Sequence, residues 1–238
     1  MLLEKAPLER RDGVLAALLD LLFPPHCPAC GESSQPGADS PFCAVCHEAL
    51  LPVPPGCRRC GRPGPDDPCG ACLASPPAFD AVRAGGLFGG PLADAVHAFK
   101  YRSRPALAAP LAGWLCRRVG VAPGAVVVSV PLARGRRRER GYDQAALLAD
   151  ALAHATGAER RRGALRRVRE TAPQVGRDRT ARARNVAGAF AAAAGVADRD
   201  VVLVDDVVTT GATADACARA LKAAGARTVS VLALARAE

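Results

Sequence analysis

Val201-Val-Leu-Val-Asp205-Asp206-Val-Val-Thr209-Thr210-Gly211-Ala-Thr213 decides the fold of this 238-residue chain. Four apolar residues run into two adjacent carboxylates, then a Thr/Gly loop, then an Ala-rich helical stretch. An open α/β sheet uses that order of strand, phosphate-cradling loop and helix N-terminus to hold a phosphorylated ligand. Val201 to Val204 predict a strand inside the sheet that brings Asp205 to its carboxyl edge. Gly211 lets the backbone approach an anion closely, while Thr209, Thr210 and Thr213 offer hydroxyls. The N–H groups at the helix start add donors and a positive dipole end. Asp205 and Asp206 stand where neighbouring sugar hydroxyls can be gripped, so the ligand class is a ribose 5-phosphate. Two ionised acids side by side also suit Mg²⁺ nearby. Asp and Thr cap ordinary strand-to-helix turns as well, but capping accounts for one carboxylate and one hydroxyl, not for the whole run.

Outward from this segment, the chain from Phe79 alternates strand-like and helix-like runs. Strands are predicted over 81–88, 125–130, 164–168 and 228–234, the second a continuous apolar run of the kind buried on both faces. Helices are predicted over 92–101, 106–119, 142–155 and 213–224, the last stopped by Gly225. Residues 169–179 read as a loop. Strands alternating with helices predict an α/β fold with a mainly parallel sheet flanked by helices, occupying 79–238. Ser75-Pro76-Pro77 forms the boundary to a different region.

Residues 25–78 are rich in Cys, Pro and Gly and hold eight of the ten cysteines as four Cys-x-x-Cys pairs: Cys27/Cys30, Cys43/Cys46, Cys57/Cys60 and Cys69/Cys72. Each pair reads as a tight turn, with Gly31, Gly61 and Gly70 beside the sulfurs. Two such pairs supply the four thiolates of a closed tetrahedral Zn²⁺ site, so the region predicts two zinc ions. Sequential pairing is the simplest assignment; an interleaved pairing stays open. Disulfides need an oxidising compartment, and a redox Cys-x-x-Cys normally occurs once, beside a strand–helix unit. Too few apolar residues surround the sulfurs to fold without metal, so the zinc reads as structural. Arg58, Arg59 and Arg62 leave a nucleic-acid contact as the sharper alternative. His26 and His47 flank ligands whose sites sulfur already fills. Cys116 and Cys217 stand alone in helical runs and read as buried apolar groups.

In residues 1–24, Leu15, Leu18, Leu19 and Leu22 predict a short amphipathic helix stopped by Pro24-Pro25. Asp20 and the missing small-residue cleavage site argue against a signal peptide. No stretch approaches the roughly 20 apolar residues of a membrane span. The chain therefore reads as cytoplasmic. A formal charge of +9 suits anionic partners such as phosphates or nucleic acid. Aromatic residues are few, so the core falls to Ala, Leu and Val.

Further short runs stand out: Leu22-Phe23-Pro24, Phe99-Lys100-Tyr101, and Val130-Pro131-Leu132 leading to Arg140-Gly141-Tyr142-Asp143-Gln144. Arg169, Thr171 and Gln174 follow, then Arg184-Asn185. With the four cysteine pairs, these runs make nearly the whole chain similar to the ComF family of competence-associated, phosphoribosyltransferase-like proteins. The 201–213 segment resembles the phosphoribosyl-pyrophosphate (PRPP) motif of type I phosphoribosyltransferases at every position. The resemblance implies that Asp205 and Asp206 bind the ribose hydroxyls, with Mg²⁺ accompanying the ligand. It implies that Thr209, Thr210, Gly211, Ala212 and Thr213 bind the 5′-phosphate, with Val207 and Val208 completing the PRPP-binding set. The turn after Val130-Pro131-Leu132 takes the pyrophosphate position and 169–179 that of the catalytic loop. Position 143 is Asp where the family pattern has Asn, which removes an amide donor.

Guanidinium groups pair bidentately with phosphate oxygens, and Arg134, Arg136, Arg137, Arg138 and Arg140 crowd one segment. Arg140 and Arg169, which the family-like runs contain, are the candidates for stabilising pyrophosphate as it leaves C1 of PRPP. No residue names the acceptor. Two alternatives remain open: a catalytically silent scaffold, and a non-catalytic zinc protein binding single-stranded DNA in DNA uptake or repair, alongside other competence proteins. Against DNA binding, Trp114, Tyr101 and Tyr142 are too dispersed in sequence to suggest a stacking surface.

Overall fold

The computed structural model describes residues 26–32, 40–102, 104–170, 185–193 and 195–237. The expected helix within 1–24 and most of the 169–179 loop lie outside them. Five parallel strands form the main sheet: β1 (Ala81–Leu87), β2 (Val126–Ser129), β3 (Glu159–Arg160), β6 (Asp200–Val208) and β7 (Thr228–Arg236), in the order β1-β7-β6-β2-β3. A two-stranded antiparallel ribbon, β4 (Leu165–Arg167) with β5 (Phe190–Ala192), stands apart from it.

Period-two burial builds two cores. Val201, Leu203, Val229, Val231, Val126 and Val128 share one cluster, and Val202, Val204, Leu232, Leu234 and Val127 share the other. Helices α3 (Gly90–Tyr101), α4 (Ala108–Val119) and α6 (Gln144–Thr156) cover the second face, and α7 (Ala212–Ala223) covers the first. The apolar run at 125–130 is thus buried on both sides, as its composition predicts. Glycine at 85 lets Trp114 lie against β1: a Cβ there would come within 2.4 Å of the indole.

Four elements differ from the sequence reading. The arginine-rich segment after β2 is helical, α5 (Arg134–Arg140), and Gly141 ends it in the left-handed region at φ 77°. β6 does not end at Val204; its pairing with β7 carries it to Val208. The strands at 159–160 and 190–192 are too short to show periodicity.

The cysteine region docks at the sheet's β1 edge, where the N–H of Leu87 donates to the carbonyl of Leu51 at 2.8 Å. Its two halves share one plan. Gly31 N donates to Cys27 O and Gly61 N to Cys57 O, each glycine having positive φ. The second pair of each half opens a single helical turn, α1 (Ala44–Glu48) after Cys43 and α2 (Gly70–Ala74) after Cys69. A tight turn is therefore right for the first pair of each half and a helix start for the second. Cys27 and Phe42 pack with Trp114 on one sheet face, Cys57, Cys60 and Cys72 with Phe79 on the other.

Candidate functional site

The connection from β2 runs outward through α5 and α6 to β3, while that from β6 runs the opposite way through α7 to β7. The carboxyl ends of β2 and β6 therefore flank the point where the winding reverses, and ligands of open α/β sheets bind in that crevice. A cleft of about 590 Å³ opens there. Its walls include Asp205 through Ala214 on one side and Val130 through Ala133 with Arg136, Arg140 and Asp143 on the other. Every residue of the sequence-predicted PRPP set lines it.

Because β6 continues through the acids, Asp205 and Asp206 point to opposite faces of the sheet edge instead of side by side from a loop. Asp206 meets Lys100 Nζ from α3 at 2.8 Å, each side chain only 15% exposed. Asp205 lies on the α7 side and accepts from the N–H of Asp206 at 2.8 Å. It keeps some surface in the cleft, but protein crowds it from the other sides. That burial, and next the charge of Asp206, push its carboxyl up to about 8, against the pull of the Asp206 N–H and Lys100.

Gly211 is left-handed at φ 80° and stands at the N-cap of α7, where it has no side chain to cap the helix. The hydroxyl of Thr210 accepts from Ala212 N at 3.4 Å. Opposite, Asp143 has a defined role without an amide. Its Oδ1 accepts from Ala146 N at 3.0 Å as the cap of α6, and its Oδ2 accepts from Leu132 N at 3.3 Å. Asn would supply only one of those two oxygens.

Arg140 lies in the cleft wall, donating to Gln144 Oε1 at 2.9 Å and to the Tyr101 hydroxyl at 3.2 Å, with its guanidinium 4.8 Å above that ring. Arg169 is held differently: it donates to the carbonyls of Asn185 and Ala187 and does not line the cleft. Arg167 does, two residues earlier. β4 alternation was the available signal, since Arg167 shares a face with buried Leu165. Glu170 Oε1 accepts from Arg134 N at 3.1 Å, placing a carboxylate over the start of α5. Lys100 is the main residue that the sequence reading left out of the site, although its run was noted.

The eight cysteine sulfurs form two groups, Cys27/Cys30/Cys43/Cys46 and Cys57/Cys60/Cys69/Cys72, each with all sulfurs within 4.8 Å of one another. Pairing is therefore sequential. Tetrahedral zinc with Zn–S near 2.3 Å sets sulfurs about 3.8 Å apart. Cys30–Cys43 at 3.8 Å, Cys57–Cys72 at 3.9 Å and Cys60–Cys69 at 3.7 Å fit that spacing. His47 is not a ligand; its Nδ1 pairs with Ser40 Oγ at 2.7 Å. Cys217 is buried, as expected, and Cys116 partly so. Trp114 is 1% exposed and offers no stacking face, Tyr142 is partly buried with its hydroxyl donating to the Phe99 carbonyl, and Tyr101 is 66% exposed. Tyr101 ends a short row with His97 and Phe88, at centroid spacings of 6.1 and 5.6 Å.

The double zinc ribbon domain family matches residues 18–73, and the phosphoribosyl transferase domain family matches 119–238. The DNA utilization protein YhgH of Salmonella typhi is 37% identical over 204 residues, 82% of this chain and 90% of that protein. Competence protein F of Haemophilus influenzae is 29% identical over 215 residues, 84% of this chain and 92% of that protein. The chain belongs to the ComF family. Within that family, YhgH of Escherichia coli strain K12 is 34% identical over the same shares of the two chains. Among solved structures, a Bacillus subtilis glutamine PRPP amidotransferase complexed with ADP and GMP is 24% identical to this ComF-family chain. It aligns with a TM-score of 0.37, over 59% of this chain and 27% of its own. Among the described residues, no helix is long and apolar enough to cross a membrane.

Proposed function

We propose that the β2/β6 cleft binds PRPP, or a related ribose 5-phosphate, together with Mg²⁺. The observation that carries this is the facing arrangement across one crevice: the end of β6 and the turn into α7, Asp205 to Thr213, on one wall, and the Val130–Ala133 turn with α5 on the other. The N–H groups at the α7 start and the hydroxyls of Thr209, Thr210 and Thr213 take the 5′-phosphate. Asp205 and Asp206 accept from the ribose hydroxyls, and Asp206 releases Lys100 to do so. Arg136 and Arg140 from α5 and Arg167 from β4 supply cationic charge on the side where pyrophosphate departs. Mg²⁺ would supply further neutralisation of the phosphates beside the same two acids. If the chain turns PRPP over, a nitrogen nucleophile displaces pyrophosphate from C1 while the loop holds the sugar in register.

The names of the relatives, DNA utilization protein and competence protein, support a setting in DNA uptake or utilization, and two cysteine quartets suited to zinc suit a reducing compartment such as the cytoplasm. The deciding experiment is calorimetry with PRPP and Mg²⁺ on the wild type and on the double variant Asp205→Asn/Asp206→Asn. The wild type binds with clear heat and the double variant does not; equal heats from both would refute the assignment.

A further inference from the structure

The second cysteine quartet is joined to the phosphate loop by contacts that cross from one module to the other. Arg236 on β7, 4% exposed, donates from Nη1 to the carbonyl of Cys60 at 2.8 Å. Its partner across the ladder is Val208, the last strand residue before the loop. As the chain leaves the cysteine module, the N–H of Ala78 donates to Asp215 Oδ1 at 2.6 Å. Asp215 lies in the first turn of α7, the helix that opens at Gly211. Phe79, 2% exposed, lies against that glycine: a Cβ at 211 would come 3.5 Å from the ring. Cys57, Cys60 and Cys72 share one continuous core with Phe79, Val208 and Ala214. The first quartet packs on the other face, and among the described residues its core takes in none of 208–214.

We infer that the second zinc site braces the phosphate loop, with Arg236 and Asp215 as positioning residues through which occupancy of Cys57/Cys60/Cys69/Cys72 sets affinity for the sugar phosphate. This rests on the ribose 5-phosphate reading of the cleft. Four sulfurs drawn to one ion fix the knuckle that carries the Cys60 carbonyl, and with it the guanidinium that bonds there. The loop must present its amides in one conformation to hold an anion, and ordering it at the moment of binding costs affinity. A brace removes that cost in advance. Linkage then requires the reverse effect: a bound sugar phosphate must hold zinc more firmly at the second site, by the same factor.

The test uses the full-length zinc-loaded protein as wild type, Arg236→Met and Arg236→Lys, with Asp215→Ala as an independent break in the same brace. The expected result is PRPP affinity at least about 5-fold weaker in Arg236→Met, with Arg236→Lys in between. In the wild type, saturating PRPP slows release of one of the two zinc ions to a colorimetric chelator; in Arg236→Met it slows neither. Hydrogen exchange without PRPP supplies the separate readout. Amides at 209–214 exchange faster in Arg236→Met and Asp215→Ala, while those of α6 are unchanged. Unaltered exchange at 209–214 in both variants overturns the brace, as does PRPP binding with equal affinity to all of them. A wild type that fails to bind PRPP refutes the cleft reading, and the exchange result then judges the brace alone. Should Arg236→Met not fold, Asp215→Ala carries the same comparison.

Discussion

Replacing Lys100 with Met isolates the ion pair that the sequence reading overlooked. Lys100 and Asp206 meet at 2.8 Å with both side chains 15% exposed, and both line the cleft. Breaking a fully buried pair by removing one partner costs about 3–5 kcal/mol, and an exposed pair contributes up to about 1 kcal/mol. A mostly buried pair falls between, so Lys100→Met should destabilise the unliganded protein by about 2 kcal/mol. For a chain of this size that corresponds to a Tm lower by about 4–8 °C. The loss arises from the carboxylate left behind, not from the missing amine. Adding Asp206→Asn to Lys100→Met should therefore recover most of it, giving strong non-additivity in a double-mutant cycle. The cycle is read by denaturant unfolding at pH 8 without divalent metal. Repeated at pH 5, the penalty should shrink, because Asp205 is then neutral and no longer adds to the unpaired charge. Single-variant effects that simply sum, or a Lys100→Met Tm within about 1 °C of wild type at pH 8, would refute the reasoning.

Four further outcomes are expected. Asp205 titrates near 8 instead of 3.8, so between those values the native state holds a proton that the unfolded chain has released. Stability contributed by this group falls as pH rises through that window, and a Tm series from pH 5 to 8.5 should flatten in Asp205→Asn. Gly85→Ala would drive a Cβ to within 2.4 Å of the Trp114 indole. An overpacking loss of about 1–3 kcal/mol should follow, with changed emission from the chain's one tryptophan; unaltered emission and Tm would contradict the packing. Asp143→Ala, which removes both acceptors, should cost about 1–2 kcal/mol in denaturant unfolding, and Asp143→Asn less than about 1. Metal analysis should find two zinc ions per chain; one would mean that a quartet is not a closed site.

The phosphate loop and the zinc ligands were legible because their chemistry depends on residues near one another in sequence. A thiolate pair two residues apart needs only a local turn to present both sulfurs. Likewise Val201 to Thr213 contain the strand, the acids, the glycine and the helix start that line the cleft. Burial of 125–130 could be read for the same reason, since a run without polar residues has no face to give to water. α5 was missed because arginines carry no apolar period, and its end is set by the left-handed Gly141.

Sequence by itself thus determined the fold class, the eight metal-ligand cysteines and the stretch that lines the cleft. Tertiary structure alone decided how far β6 extends, because pairing with β7 carries the strand through Asp205 and Asp206 and sends their side chains to opposite faces. It also brought Lys100 onto Asp206 and Arg167, not Arg169, to the cleft. It resolved sequential zinc pairing from interleaved, and it set the Cys60 carbonyl against Arg236, 176 residues away. Each of these depends on which surfaces bury one another across the sheet, and no local pattern encodes that.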